Sequence, residues 1–226
     1  MNPLATIVLL PLVAGTLLCF AFGRDNSPAR RLLTALVAGA VTLTALGMLL
    51  SLAPQVFAGQ TLVAHTEWVP SLGLSIGWRL DGLALMFALL ITGIGSLIVL
   101  YAHFYLAESD PAGKFYTLLM LFMAAMLGIV MSDNIMLLVV FWELTSVSSF
   151  LLVGYWGHKE EARAGARMAL AVTGGGGLVM LAGFVLLGQI AGSYELSDIL
   201  LSGDVQEFLT GLADVAATVF SGTYGE

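Results

Sequence analysis

The sequence predicts an all-α membrane protein with about six transmembrane helices, and three observations predict it. Six apolar stretches, residues 3–22, 32–53, 82–102, 115–132, 135–157 and 168–192, are long enough to cross a bilayer. A helix rising about 1.5 Å per residue needs about 20 apolar residues to span about 30 Å of hydrocarbon. Of 226 residues, 59% are hydrophobic and only 10% charged, with mean hydropathy +0.97; a soluble domain carries about 25% charged residues to coat its surface. Finally, the basic residues are segregated. Arg24, Arg30, Arg31, Lys114, Lys159, Arg163 and Arg167 fall in loops on one side, and Arg79 stands alone on the other.

The first span is followed by arginines rather than preceded by them, the reverse of a signal peptide. The positive-inside rule then sets the N-terminus outside, the loops after spans one, three and five inside, and the C-terminus outside a cell membrane. The long outer loop, 54–81, alternates Leu74, Ile76, Trp78 and Leu80 with Ser75, Gly77, Arg79 and Asp81. This period of two predicts a strand, and Pro70 to Gly73 predicts the turn of a small outer hairpin. Asp81 and Asp133 each directly precede a span and are expected to cap its free N–H groups. Gly174 to Gly177 lie within the sixth span, where small residues let helices approach closely; no Lys-Ser/Thr follows, so they form no phosphate loop.

The chain divides into a six-helix bundle, 1–192, and an acidic tail, 193–226. The tail holds Glu195, Asp198, Asp204, Glu207, Asp214 and Glu226 and no Lys or Arg. Val205, Phe208, Leu209, Leu212, Val215 and Val219 recur at helical spacing, which predicts a short amphipathic helix. Interfacial membrane helices are usually basic, so this one is expected to pack on the bundle or on a partner. The net charge of −7 argues against nucleic acid as a partner. A single cysteine, Cys19, makes neither an internal disulfide nor a cysteine metal site. His65, His103 and His158 lie at or beyond span ends, so no haem, metal or other cofactor is expected.

Glu143 is the one Asp, Glu, Lys or Arg inside a span. Eight residues beyond the start of the fifth span, it lies about 12 Å in, near mid-membrane. A charged carboxylate there costs a few kcal/mol. Protonation removes that cost, and a carboxyl that loads and releases a proton suits a proton pathway. The competing reading is a structural carboxyl satisfied by Thr145, Ser146, Ser148 and Ser149. Arg163 and Arg167 share a helix face four residues apart; they read as snorkelling anchors, or, for Arg167, as a point of proton uptake.

Phe141-Trp142-Glu143-Leu144-Thr145-Ser146, with Phe150-Leu151-Leu152-Val153-Gly154-Tyr155-Trp156 after it, resembles the fifth span of the large A subunit of multisubunit (Mrp-type) sodium/proton antiporters. Asp81-Gly82-Leu83 through Tyr101-Ala102-His103-Phe104-Tyr105-Leu106 resembles the third span of the same protein. The same fold occurs in antiporter-like subunits of proton-pumping NADH dehydrogenases. The resemblance covers roughly residues 1–200. It implies a transporter component rather than an enzyme, with Glu143 as the family's key glutamate and with other membrane subunits, protons and sodium as partners. In the family this glutamate works with a lysine on a seventh span. No such lysine follows Leu200 here, so the chain is expected to be incomplete and inactive alone. The alternative readings are a structural or assembly component, a part of an NADH dehydrogenase-like complex and a redox anchor.

Overall fold

A computed structural model of the chain describes residues 2–22, 27–69 and 74–223. The turn expected at Pro70 to Gly73, together with Arg24 and Glu226, lies outside the described residues. The elements run α1 (Pro3–Phe22), α2 (Pro28–Phe57), β1 (Leu62–Val69), β2 (Leu74–Leu80), α3 (Gly82–Tyr105), α4 (Ala112–Met131), α5 (Ile135–Val153), α6 (Glu160–Ala191), α7 (Leu196–Leu201) and α8 (Gly203–Thr223). Helices α1 to α6 are each long and apolar enough to cross a membrane. α2 and α6 begin earlier than the apolar stretches that predict them, because their first turns are polar. α5 stops short at Gly154.

α4 is the core of the bundle. It packs against α1, α2, α3 and α5, and Met120, Leu127 and Met131 are fully buried along it. α6 packs on α5 and leaves most of its surface open. Of Gly174 to Gly177, the first three face nothing, and only Gly177 meets a neighbour. The glycine run as a whole is therefore not a packing seam among the described residues.

Alternating helices bring alternate loops to the same end. At one end Arg31, in the first turn of α2, donates from Nη1 to the Ala107 carbonyl (2.6 Å) and from Nη2 to the Leu106 carbonyl (2.8 Å) just past α3. Trp156 Nε1, past α5, donates to Asp110 Oδ1 (3.3 Å) ahead of α4. Among the described residues this end carries every basic side chain except Arg79.

At the other end sits the antiparallel β1–β2 pair, with Val63 opposite Arg79 and His65 opposite Gly77. The turn between α4 and α5 is sewn to it: Asp133 N–H donates to the Gly77 carbonyl (2.9 Å) and Ser132 bridges Trp78. The same turn holds the segment after α6. Ile135 N–H donates to the Tyr194 carbonyl (2.9 Å), and Leu196 N–H donates to the Asp133 carbonyl. Ile199 and Val205 then bury against Ile135, while Leu209, Leu212 and Val215 along α8 stay exposed.

Asp81 caps α3 by accepting from Ala84 N–H at 2.9 Å. Asp133 does not cap α5. The cap is Asn134, whose Oδ1 accepts from Met136 N–H (3.0 Å) and Leu137 N–H (3.1 Å). Asp133 is one residue too early; its buried carboxylate accepts instead from Ser197 Oγ at 2.8 and 2.9 Å.

Candidate functional site

α5 carries Glu143 eight residues from its first residue, about 12 Å along a helix of 19 residues. The side chain turns into the seam between α5 and α6. Gly177 stands opposite: a Cβ at that position would overlap Glu143 Oε1 and come 3.2 Å from Trp142 Cδ1. The absence of a side chain at Gly177 thus makes the room that the carboxyl fills.

Glu143 Oε1 is buried and accepts no hydrogen bond. The hydroxyl groups expected to satisfy it are committed elsewhere. Thr145 and Ser146 donate to the Trp142 carbonyl (2.6 and 3.2 Å), Ser148 to the Leu144 carbonyl (2.7 Å) and Ser149 to the Ser146 carbonyl (3.1 Å). Serine and threonine in a helix reach their own preceding turn more easily than a neighbour's carboxyl.

Neither arginine reaches Glu143. Arg163 donates to the Gly157 carbonyl (3.2 Å) at the start of α6. Arg167 is exposed, ten positions before Gly177 and so about 15 Å from it along the helix. Among the described residues no ion pair involves Glu143. The result is an acidic group midway along its helix with a buried oxygen that accepts no hydrogen bond, an arrangement that costs several kcal/mol if the group is charged and has no partner.

Nothing in the sequence signals a second polar cluster, which lies at the hairpin end. His65 on β1, Asp133 before α5 and Glu195 before α7 converge there, each offering one ligand-type atom within 4.8 Å of the others. They come from three segments that no local motif connects.

Six helices long and apolar enough to cross a membrane, a hairpin at one end and a glutamate midway along the fifth define an antiporter-like membrane module. Two family descriptions match the chain in succession: NADH-ubiquinone oxidoreductase (complex I) chain 5 N-terminus over residues 68–116, and NADH:quinone oxidoreductase/Mrp antiporter transmembrane region over residues 132–220. The second match runs to residue 220, past the Leu200 limit of the motifs that carry the resemblance.

A probable K(+)/H(+) antiporter A/B subunit of Rhizobium meliloti (strain 1021) is 48% identical over 201 residues, 89% of this chain and 20% of that protein. The Na(+)/H(+) antiporter A subunit of Alkalihalophilus pseudofirmus is 48% identical over 146 residues, 64% of this chain and 18% of that protein. Among solved structures, the Mrp complex from Dietzia sp. DQ12-45-1b aligns at TM-score 0.68 and 31% identity, covering 88% of this chain and 20% of the matched chain. Over most of its length the chain is similar to antiporter A subunits, and both family descriptions fall within the group shared by Mrp antiporters and NADH:quinone oxidoreductases. The chain spans about a fifth of the length of the curated relatives it matches.

Proposed function

We propose that the chain is a membrane component of a multisubunit cation/proton antiporter, a transporter part rather than an enzyme, and that Glu143 carries a proton in it. The observation that carries this reading is the buried, unbonded Glu143 Oε1 at mid-depth in the α5–α6 seam. A carboxyl there can load and release a proton as water or a cationic group approaches, and that alternation is what a relay needs. The relatives are named as antiporter subunits for sodium in one case and potassium in the other, so the cation is one of these alkali ions. Other membrane subunits are the partners. The chain sits in the cell membrane with its hairpin end and both termini outside, and Arg167 stands in solvent at the inner mouth of the path.

Glu143→Gln keeps the size of the side chain and removes its capacity to carry a proton. In inverted vesicles holding the complete complex, this variant should assemble normally yet lose cation-driven proton exchange by at least about tenfold, below even the smallest usual contribution of a proton-transfer group. Full exchange by the assembled variant would make Glu143 a structural carboxyl.

A further inference from the structure

We propose that His65 and Glu195 form a binding site for a divalent transition-metal ion of the Zn2+ type at the hairpin end, with Asp133 as the residue that orients His65. The site is separate from Glu143 and stands whether or not Glu143 carries protons.

The argument begins with the two ring nitrogens. His65 Nε2 lies 3.1 Å from Asp133 Oδ2, within hydrogen-bonding distance, and Asp133 is fully buried. In the tautomer that carries its proton on Nε2, the nitrogen facing Asp133, Nδ1 presents a lone pair. Facing it at 3.5 Å is Glu195 Oε2, which is buried and accepts no hydrogen bond. The other oxygen, Oε1, is well supplied: Ser75 Oγ and Asn134 Nδ2 both donate to it, the latter at 3.0 Å. Glu195 is thus anchored by one oxygen and offers the other, uncompensated, to the imidazole.

Two electron-rich atoms held face to face repel each other unless a cation lies between them. Their separation says which kind of cation. A charge-assisted N–H···O contact closes to about 2.7–2.9 Å. Donors about 2.0–2.2 Å from a tetrahedral metal ion lie about 3.3–3.6 Å apart. The observed 3.5 Å fits the metal and is long for a shared proton. A carboxylate on the far nitrogen is the usual second partner of a metal-binding histidine.

Gly77 keeps the space open. A Cβ there would lie 2.9 Å from His65 Nδ1 and 3.2 Å from Glu195 Oε2, filling the gap that the ion requires. The local charge also suits a dication. Arg79 is the one guanidinium nearby and is divided between Asp81 (3.2 Å) and Asp133 (3.9 Å), so three carboxylates share a single fixed positive charge. His65 is 42% exposed, which leaves water free to complete the coordination and the ion free to exchange. Imidazole plus carboxylate selects zinc-like ions over magnesium.

The test is calorimetric titration of the purified full chain in detergent, washed with chelator, using Zn2+ alone. The wild type should bind one Zn2+ per chain, with equimolar Mg2+ failing to compete. His65→Ala and Glu195→Gln should weaken binding at least roughly tenfold, and Asp133→Asn roughly 10- to 100-fold through loss of the orienting bond. Gly77→Ala removes no ligand, so its loss of binding would show that the ion occupies this gap. Circular dichroism of each variant checks that it has folded. A wild type that binds no Zn2+ overturns the proposal. So does tight binding that survives in folded His65→Ala or in folded Gly77→Ala.

Discussion

Gly177 and Glu143 form a pair in which one residue supplies the space for the other. A methyl at Gly177 would overlap Glu143 Oε1, so Gly177→Ala must push the carboxyl out of the seam or part α5 from α6. The overlapped atom is the far end of a flexible side chain, so the cost sits at the low end of overpacking, about 1 kcal/mol, which a lowered melting temperature in detergent should register. Exchange by the complete complex should fall with it, because the proton site moves. The position of Glu143 along α5 was legible in the sequence, since its spacing from the start of the apolar stretch fixes it. Its isolation was not. Thr145, Ser146, Ser148 and Ser149 look like donors in a linear reading, and only the folded chain reveals that each turns back to its own helix. The α5 cap shows the same limit. Asp133 and Asn134 are both good capping residues, and what separates them is Ser197, far along the chain, which claims the aspartate. Asn134 holds two helix N–H groups and Glu195 Oε1 together. Asn134→Ala should therefore cost about 1–2 kcal/mol, read as a drop in melting temperature, while Asp133→Asn leaves the cap intact.

Among the elements, α6 departs most from its apolar stretch. At 32 residues it is about 48 Å long, against about 30 Å of hydrocarbon. A hydropathy reading sees only the apolar part, residues 168–192. The preceding turns hold Glu160, Glu161, Arg163 and Arg167, which are good helix formers in water and place acids at the positive end of the helix dipole. α2 extends for a similar reason, and its added first turn carries a tertiary role. Arg31 forks onto two carbonyls just past α3, capping that helix's C-terminal end with a cation. Lysine keeps the charge and loses the fork. Arg31→Lys should cost about 1 kcal/mol and Arg31→Ala more, since it leaves both carbonyls without this donor; thermal melting of the two variants side by side should rank them in that order. A chain with Arg31→Ala as stable as the wild type would mean that water serves those carbonyls equally well.

For the whole molecule the sequence settles which loops share an end, and the structure adds what they do there. Counting spans is enough to place loop 54–81, the α4–α5 turn and the α6–α7 segment on one side. That His65, Asp133 and Glu195 then meet is set by backbone bonds between those loops, which leave no trace in composition or periodicity. The orientation of the bundle rests on charge. Arg30, Arg31, Lys114, Lys159, Arg163 and Arg167 gather at one end of the described structure, and Arg79 alone stands at the other. Arg79 is a weak exception, because it is one cation against six. Acidic residues contribute little to orientation, so the carboxylates of the hairpin end do not offset this asymmetry. The basic end is therefore expected inside. With the exposed Cys19 replaced by alanine, single cysteines at Gln60, beside the hairpin, and at His158, between α5 and α6, report the two ends from exposed positions. In intact cells an impermeant maleimide should label Gln60→Cys, and His158→Cys should react only after the membrane is opened. The opposite pattern would invert the bundle, put the His65–Glu195 site in the reducing cytoplasm and require the basic end to have crossed the membrane against the rule that governs insertion.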